Sequence, residues 1–273
     1  MEENILPKQA GPLLMNKLSP RVVLITGASS GIGAALGEHY AKQGTILALL
    51  ALDKDRLRLV TNKCRAKGAI VYEYLVDVTD LEAMRRCSAD LLGRVEHVDI
   101  VIANAGIRRE EDVDCQDTQI PEDTMRVNYF GVINTFSPFI RPMKASGHGQ
   151  LVVISSIASF RGTPNSGAYS ASKAAVNVWT ESLRLRLIPH GICLTTICLG
   201  FVNTAMTAEL PFWMPGILSP EQAGELIARY IEKKARVVTL PWQSRLIWTG
   251  FRILPGVVYD KLIIWAKAHG PKR

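Results

Sequence analysis

A chain of 273 residues that is 48% apolar and 21% charged can build a real core, and it carries too few charges to be a disordered chain. The net charge of +7 is uneven: nine Lys or Arg and one acid, Asp260, lie between Lys233 and Arg273, so the other 232 residues sum to −1 and the basic character belongs to the tail. Cys64, Cys87, Cys115, Cys193 and Cys198 show no CxxC or Cys/His ligand spacing, which reads as a reduced, intracellular chain without a structural metal.

Residues 1–20 lack the positive start and the apolar run of a secretory signal, and they read as an irregular extension. Val22 to Thr26, VVLIT, is a short buried strand. It runs into Gly27-Ala-Ser-Ser-Gly31-Ile-Gly33 and a helical pattern from Ala34 to Lys42. Strand, glycine turn and helix in that order are the context of a dinucleotide-binding motif. Gly27 permits the tight turn, Gly31 lets the backbone approach a pyrophosphate at the helix N-terminus, and Gly33 lets the helix pack close on the strand. The next strand, Ile46 to Leu52, ends at Ala51-Leu52, where NAD binding needs an acid and NADP binding a basic group. Asp53, just beyond, either turns toward a ribose hydroxyl or is a surface acid in a turn. A helix from Leu57 to Ala66 leads to a third strand, Val71 to Val76, closed by Asp77-Val78. Asp77 either faces an adenine or caps the segment that follows. Asp99 to Ala103 is the fourth strand and runs into Asn104-Ala105-Gly106, a turn that offers backbone to a cofactor or simply steadies the sheet. After a polar stretch, 107–120, a helix from Pro121 onward carries Asn128, which needs a partner in such apolar company.

Leu151 to Ser155 is the fifth strand, and Ser156 at its end lies thirteen residues before Tyr169. Tyr169 and Lys173, at i and i+4, share one face of a helix from Tyr169 to Leu187. A free phenol titrates near ~10. A neighbouring ammonium favours the phenolate, so this pair, with Ser156 opposite, is a plan for moving a proton to or from a substrate oxygen. Ile192 to Leu199 is the sixth strand. The segment after it, with Phe201, Met206, Leu210, Phe212, Trp213 and Met214, is expected either to cover the site and favour a lipophilic substrate or to pack on the sheet or a partner subunit. Strands and helices alternate from residue 21 to residue 239, which gives one α/β domain with a parallel sheet covered by helices on both faces. Residues 240–273 read as a basic tail of two amphipathic helices divided at Pro255-Gly256, with Trp242, Trp248 and Trp265 among Arg245, Arg252, Lys261 and Lys267. No run there reaches the ~18 apolar residues of a membrane span. Peripheral contact with an anionic membrane, an oligomer interface and a wall of the substrate pocket are all open readings of it. Nucleic acid fits less well, because no binding motif accompanies the charge.

Taken together, TGASSGIG (Thr26 to Gly33), Asp77-Val78, Asn104-Ala105-Gly106, Asn128, Ser156 and YSASK (Tyr169 to Lys173) resemble the short-chain dehydrogenase/reductase superfamily, in its compact single-domain branch. The resemblance covers about Arg21 to Ser219. It implies a Rossmann-like doubly wound sheet and NAD(P)-dependent interconversion of an alcohol and a carbonyl. It implies that Ser156 polarises the carbonyl, Tyr169 is acid or base, Lys173 lowers the tyrosine pKa and binds the nicotinamide ribose, and Asn128 maintains a water-linked proton relay. It further implies cofactor contacts from Gly27, Ser29, Ser30, Gly31, Ile32, Gly33, Asp53, Asp77, Val78, Asn104, Ala105, Gly106, Val202 and Thr204, besides Tyr169 and Lys173. No metal is implied. Leu199-Gly200 stands where the family commonly has Pro-Gly, and neither the second strand nor Ser30 supplies a phosphate-binding cation. NAD and NADP both stay open, with a lean to NAD. Family members are often homodimers or homotetramers. The expected setting is cytoplasmic, with the inner face of a membrane as the alternative. A nucleotide-binding scaffold or redox sensor without turnover is the competing function; an epimerase of the extended branch is disfavoured by the glycine spacing.

Overall fold

The computed structural model describes residues 21–112, 114, 116–208 and 216–269. Seven strands form one sheet: β1 (Arg21–Thr26), β2 (Thr45–Ala51), β3 (Ile70–Leu75), β4 (Ile100–Ala103), β5 (Gly149–Ser156), β6 (Ile192–Leu199) and β7 (Val237–Leu240). All pair in parallel, in the order β3-β2-β1-β4-β5-β6-β7. Strands covered on both faces need apolar residues at every position, and β2, TILALLA, is buried along its whole length. The helices are α1 (Gly31–Tyr40), α2 (Lys54–Ala66), α3 (Leu81–Arg94), α4 (Gln119–Met125), α5 (Gly131–Ser146), α6 (Gly167–Leu187), α7 (Ala205–Ala208), α8 (Pro220–Glu232), α9 (Trp242–Ile253) and α10 (Gly256–His269). On one face of the sheet Leu36, Leu57 and Ile227 seal the core; on the other Met84, Phe136, Phe139 and Val176 do so.

The chain winds outward from β1 to β3, then crosses back to lay β4 on the other side of β1. Strand order therefore reverses between β1 and β4, and in open parallel sheets the crevice at such a point, beyond the carboxyl ends of the strands, is where ligands sit. Thr26 ties the two strand ends together. Its Oγ1 accepts from the amides of Asn104 and Ala105 at 3.0 and 3.1 Å, and the Asn104 side-chain amide donates to the carbonyls of Thr26 and Gly27 at 2.9 and 3.2 Å.

Beyond shifts of a few residues at element ends, three differences from the sequence expectation matter here. A seventh strand, β7, follows α8; its four residues, after Lys233-Lys234, are too few to show a period. That strand ends at Leu240, so the basic tail is continuous with the sheet. Asn128 lies not in a regular helix but in a π-helical turn, Arg126–Phe130, between α4 and α5. Finally, α6 begins two residues before Tyr169, because Glu111 accepts from the Ala168 amide at 2.7 Å and caps its first turn from a distant loop.

Candidate active site

The glycine turn joins β1 to α1. Gly27 and Gly31 have φ of 66° and 52°, the left-handed region that side chains resist. A Cβ on Gly27 would lie 2.9 Å from the Ala105 Cα, and one on Gly33 would collide with the Gly27 carbonyl and stand 2.6 Å from the Asn104 side chain. Ser30 caps α1 without a side-chain hydrogen bond, so the opening amides of the helix are left to a ligand, at its positive end. Thr204 closes over this turn: a Cβ on Gly31 would be 3.2 Å from its Cγ2. Ser29 and Ile32 line the same turn half-buried. The cradle is shaped for a dinucleotide pyrophosphate, and the residues present fit that group.

Two expected cofactor ligands have local work. Asp53 caps α2, accepting from the Arg56 amide at 3.0 Å and pairing with its guanidinium at 3.3 Å. Asp77 accepts from the amide and the hydroxyl of Thr79, both at 2.8 Å, while the cap of α3 is Asp80. Val78 is buried against Gly131, and its carbonyl accepts from Asn134 at 2.9 Å. Val202 is buried and bridges to Leu218 beside the turn that carries Thr204.

At the end of β5, the Ser156 hydroxyl oxygen accepts from the Ala158 amide at 3.1 Å, and the hydroxyl faces the Tyr169 phenol closely enough to favour its ionised form. Lys173 is buried; its Nζ donates to the Ile154 carbonyl at 2.8 Å and lies 5.9 Å from the centre of the Tyr169 ring. Gly106 lies beside it, and a Cβ there would press on Asn128 Oδ1 at 3.2 Å. Asn128 is fully buried. Its Oδ1 accepts from the Ile107 amide at 2.8 Å, and its Nδ2 donates to the Ile107 carbonyl at 2.9 Å and to Ser172 Oγ at 3.0 Å. Asn128 thus clamps the loop after Gly106 to α6, rather than bonding only within its own helix.

Burial governs the proton affinities. It pushes the Tyr169 phenol above its ordinary value, opposed by the Ser156 hydroxyl and the Arg108 charge. It pulls Lys173 down to about 8. In this structure the Lys173 ammonium is directed at the Ile154 carbonyl, and Arg108 adds a second cation whose charge favours the phenolate.

Several participants escape sequence reasoning. Arg108 donates to Ser166 at 3.0 Å from a loop with no periodic signal. Asn177 donates to Ser159 at 2.7 Å and to the Cys198 sulfur at 3.7 Å, behind Lys173. Its place eight residues after Tyr169 and four after Lys173, on their helix face, was a usable signal. Of the apolar covering segment, Phe201 is half-buried and Met206 exposed; Leu210, Phe212, Trp213 and Met214 lie outside the described residues.

Residues 21–214 match the family described as short chain dehydrogenase. Among relatives, an uncharacterised oxidoreductase of Myxococcus xanthus is 32% identical over 90% of this chain and 97% of its own. A fatty acyl-CoA reductase of Acinetobacter baylyi is 33% identical over 84% of this chain and 79% of its own. An 11-beta-hydroxysteroid dehydrogenase A of Sesamum indicum is 33% identical over 87% and 73%. Among solved structures, an alcohol dehydrogenase from Thermococcus sibiricus in complex with 5-hydroxy-NADP superposes with a TM-score of 0.72 at 29% identity, covering 81% of this chain and 94% of its own. A match of this extent, on a parallel sheet with a glycine turn at its reversal point, makes the chain a member of the short-chain dehydrogenase/reductase family, the NAD(P)-dependent oxidoreductases.

Proposed function

We propose that the chain interconverts a ketone and a secondary alcohol on an apolar, lipid-like substrate, with Tyr169 as general acid and base. The observation that supports this reading best is the buried Lys173 Nζ, 5.9 Å from the centre of the Tyr169 ring and bonded to the Ile154 carbonyl two residues before Ser156, at the carboxyl end of β5 and next to Gly106. A bound nicotinamide would supply or accept the hydride. Ser156 holds the substrate oxygen, and Tyr169 gives that oxygen a proton in reduction and takes it back in oxidation. Lys173 and Asn128 fix α6 and the Ile107 loop around the phenol, and Gly27, Gly31, Gly33 and Thr204 hold the dinucleotide. NAD is the cofactor we favour, because Ala51 and Leu52 at the end of β2, and Ser30 in the glycine turn, are not cations that could hold a 2′-phosphate. The apolar substrate is supported by the greasy residues after β6 and by two relatives named for fatty acyl-CoA reduction and hydroxysteroid oxidation.

The partners we assign are other copies of the chain, in a dimer or tetramer, and an anionic membrane surface. The second rests on α9 and α10, which expose Trp242, Leu246, Ile253, Val257, Ile264 and Trp265 in a segment rich in Lys and Arg. No helix among the described residues is long and apolar enough to cross a membrane. Tyr169→Phe tests the chemistry. Turnover on a panel of apolar ketones falls by about 10²–10⁴-fold, while NADH quenching titrations show cofactor binding retained. Turnover at the wild-type rate would contradict the assignment, and cofactor binding with no turnover by wild type on any carbonyl would favour the scaffold.

A further inference from the structure

At the amino ends of the interior strands β4 and β5, opposite the carboxyl ends that carry the active site, His97, Asp99 and His148 bring their ligand atoms within 4.8 Å of one another. We propose that these three side chains bind a divalent transition metal of the zinc class, joining the α3–β4 connection to the turn between α5 and β5. This goes against the metal-free reading of the sequence, which rested on cysteine and Cys/His spacing. His97 and Asp99 are far from His148 in the chain, and only the sheet brings them together.

Asp99 is held by main chain on both sides. Its Oδ2 accepts from the Val22 amide at 2.7 Å, its own amide donates to the Val22 carbonyl at 3.0 Å, and its carbonyl accepts from the Gln150 amide at 2.8 Å. That leaves Oδ1 facing His97, whose Nε2 is 3.3 Å away. His148 Nδ1 lies 3.2 Å from the Ser146 carbonyl oxygen. A carbonyl only accepts, so Nδ1 carries the proton and Nε2 keeps its lone pair for a metal. The two imidazoles meet edge-on with centroids 4.8 Å apart. Two imidazoles and a carboxylate are the donor set of open zinc sites, in which water completes the tetrahedron. His97 and Asp99 are partly buried and His148 is exposed, which gives an ion access from solvent. Gly147 and Gly149, both at positive φ, flank His148 and let the turn draw its ring inward.

The simpler reading of the same geometry is a His97–Asp99 ion pair with His148 resting against it. Chelator-treated full chain, titrated with Zn²⁺ by calorimetry and with Co²⁺ by visible absorption, separates the two. One Zn²⁺ binds per chain with a micromolar or tighter dissociation constant, and Co²⁺ gives the intense bands of low-coordinate cobalt. His97→Ala and His148→Ala each weaken Zn²⁺ binding by about 100-fold or more, beyond the 10–100-fold that loss of an outer-shell partner costs. Zn²⁺ also raises the Tm of wild type but not that of His148→Ala, a substitution at an exposed turn that leaves the core intact. Binding only at millimolar Zn²⁺, or equal binding by wild type and both variants, overturns the proposal.

Discussion

Tyr169 holds its proton more tightly than a free phenol does, because burial penalises the phenolate. In the role proposed for it, Tyr169 is then a proton donor available throughout the neutral range, whereas the base has to be generated. We expect carbonyl reduction to be flat in pH until the phenol ionises, and alcohol oxidation to climb steadily from neutral into alkaline pH. Rate profiles of kcat in both directions check this; a flat oxidation profile counts against it. Lys173 makes a second prediction at the same scale. Its folded pKa, about 8, lies below its unfolded value, so the unfolded chain binds more protons between the two. Stability due to this residue is present above pH ~10.4 and lost as pH falls through about 8, a swing on the order of 3 kcal/mol at ~1.4 kcal/mol per pH unit. Cys64 and Cys87, raised to about 11 and about 12, act in the opposite sense, so the quantity to measure is wild type minus Lys173→Met in urea unfolding across this window. The spacing of Tyr169 and Lys173 was legible because a helix repeats. The field around them was not, because Arg108 and Glu111 come from an irregular loop whose path only the fold determines.

Among the elements, the β1–turn–α1 unit is the most tightly specified. Gly33 sits where the helix crosses the Gly27 carbonyl, and no side chain can be added without moving backbone. Gly33→Ala is expected to cost about 3 kcal/mol, the upper end of overpacking, and to weaken cofactor binding, read by urea denaturation and NADH fluorescence. A variant that keeps wild-type stability and affinity would show that the close approach is not needed. This unit was readable because glycines at fixed offsets from a buried strand leave few alternatives. The π-helical turn at Asn128 was not, since an extra residue in a helical run leaves apolar periodicity nearly intact. The short β7 went unseen for a related reason: its exposed Val237 and half-buried Val238 and Thr239 hide the pattern of a covered strand.

The molecule as a whole joins its tail to its active site. The Arg161 guanidinium donates to the Leu254 carbonyl at 2.8 Å and lies 4.1 Å from the centre of the Tyr259 ring, while the Tyr259 hydroxyl donates to the Gly162 carbonyl at 2.7 Å. Arg161 and Gly162 follow closely on Ser156, so the tail grips the loop that leads from the site. Ser244 adds a buried contact, standing where a Cβ on Gly200 would come within 2.6 Å. Gly200, in the Leu199-Gly200 pair that stands where the family commonly has Pro-Gly, is thus approached closely by α9. We expect Val257→Ser/Ile264→Ser/Trp265→Ser to abolish flotation with anionic liposomes while the soluble activity persists; equal flotation of wild type and variant would remove the membrane from the account. The grip of Arg161 and Tyr259 also bears on how the enzyme would meet a greasy substrate. A catalyst whose surface anchor is wired to its mouth would sense the crowding of substrate within a lipid sheet rather than its molarity in the tube. Thinning that sheet with inert detergent would slow it even though no substrate had been removed.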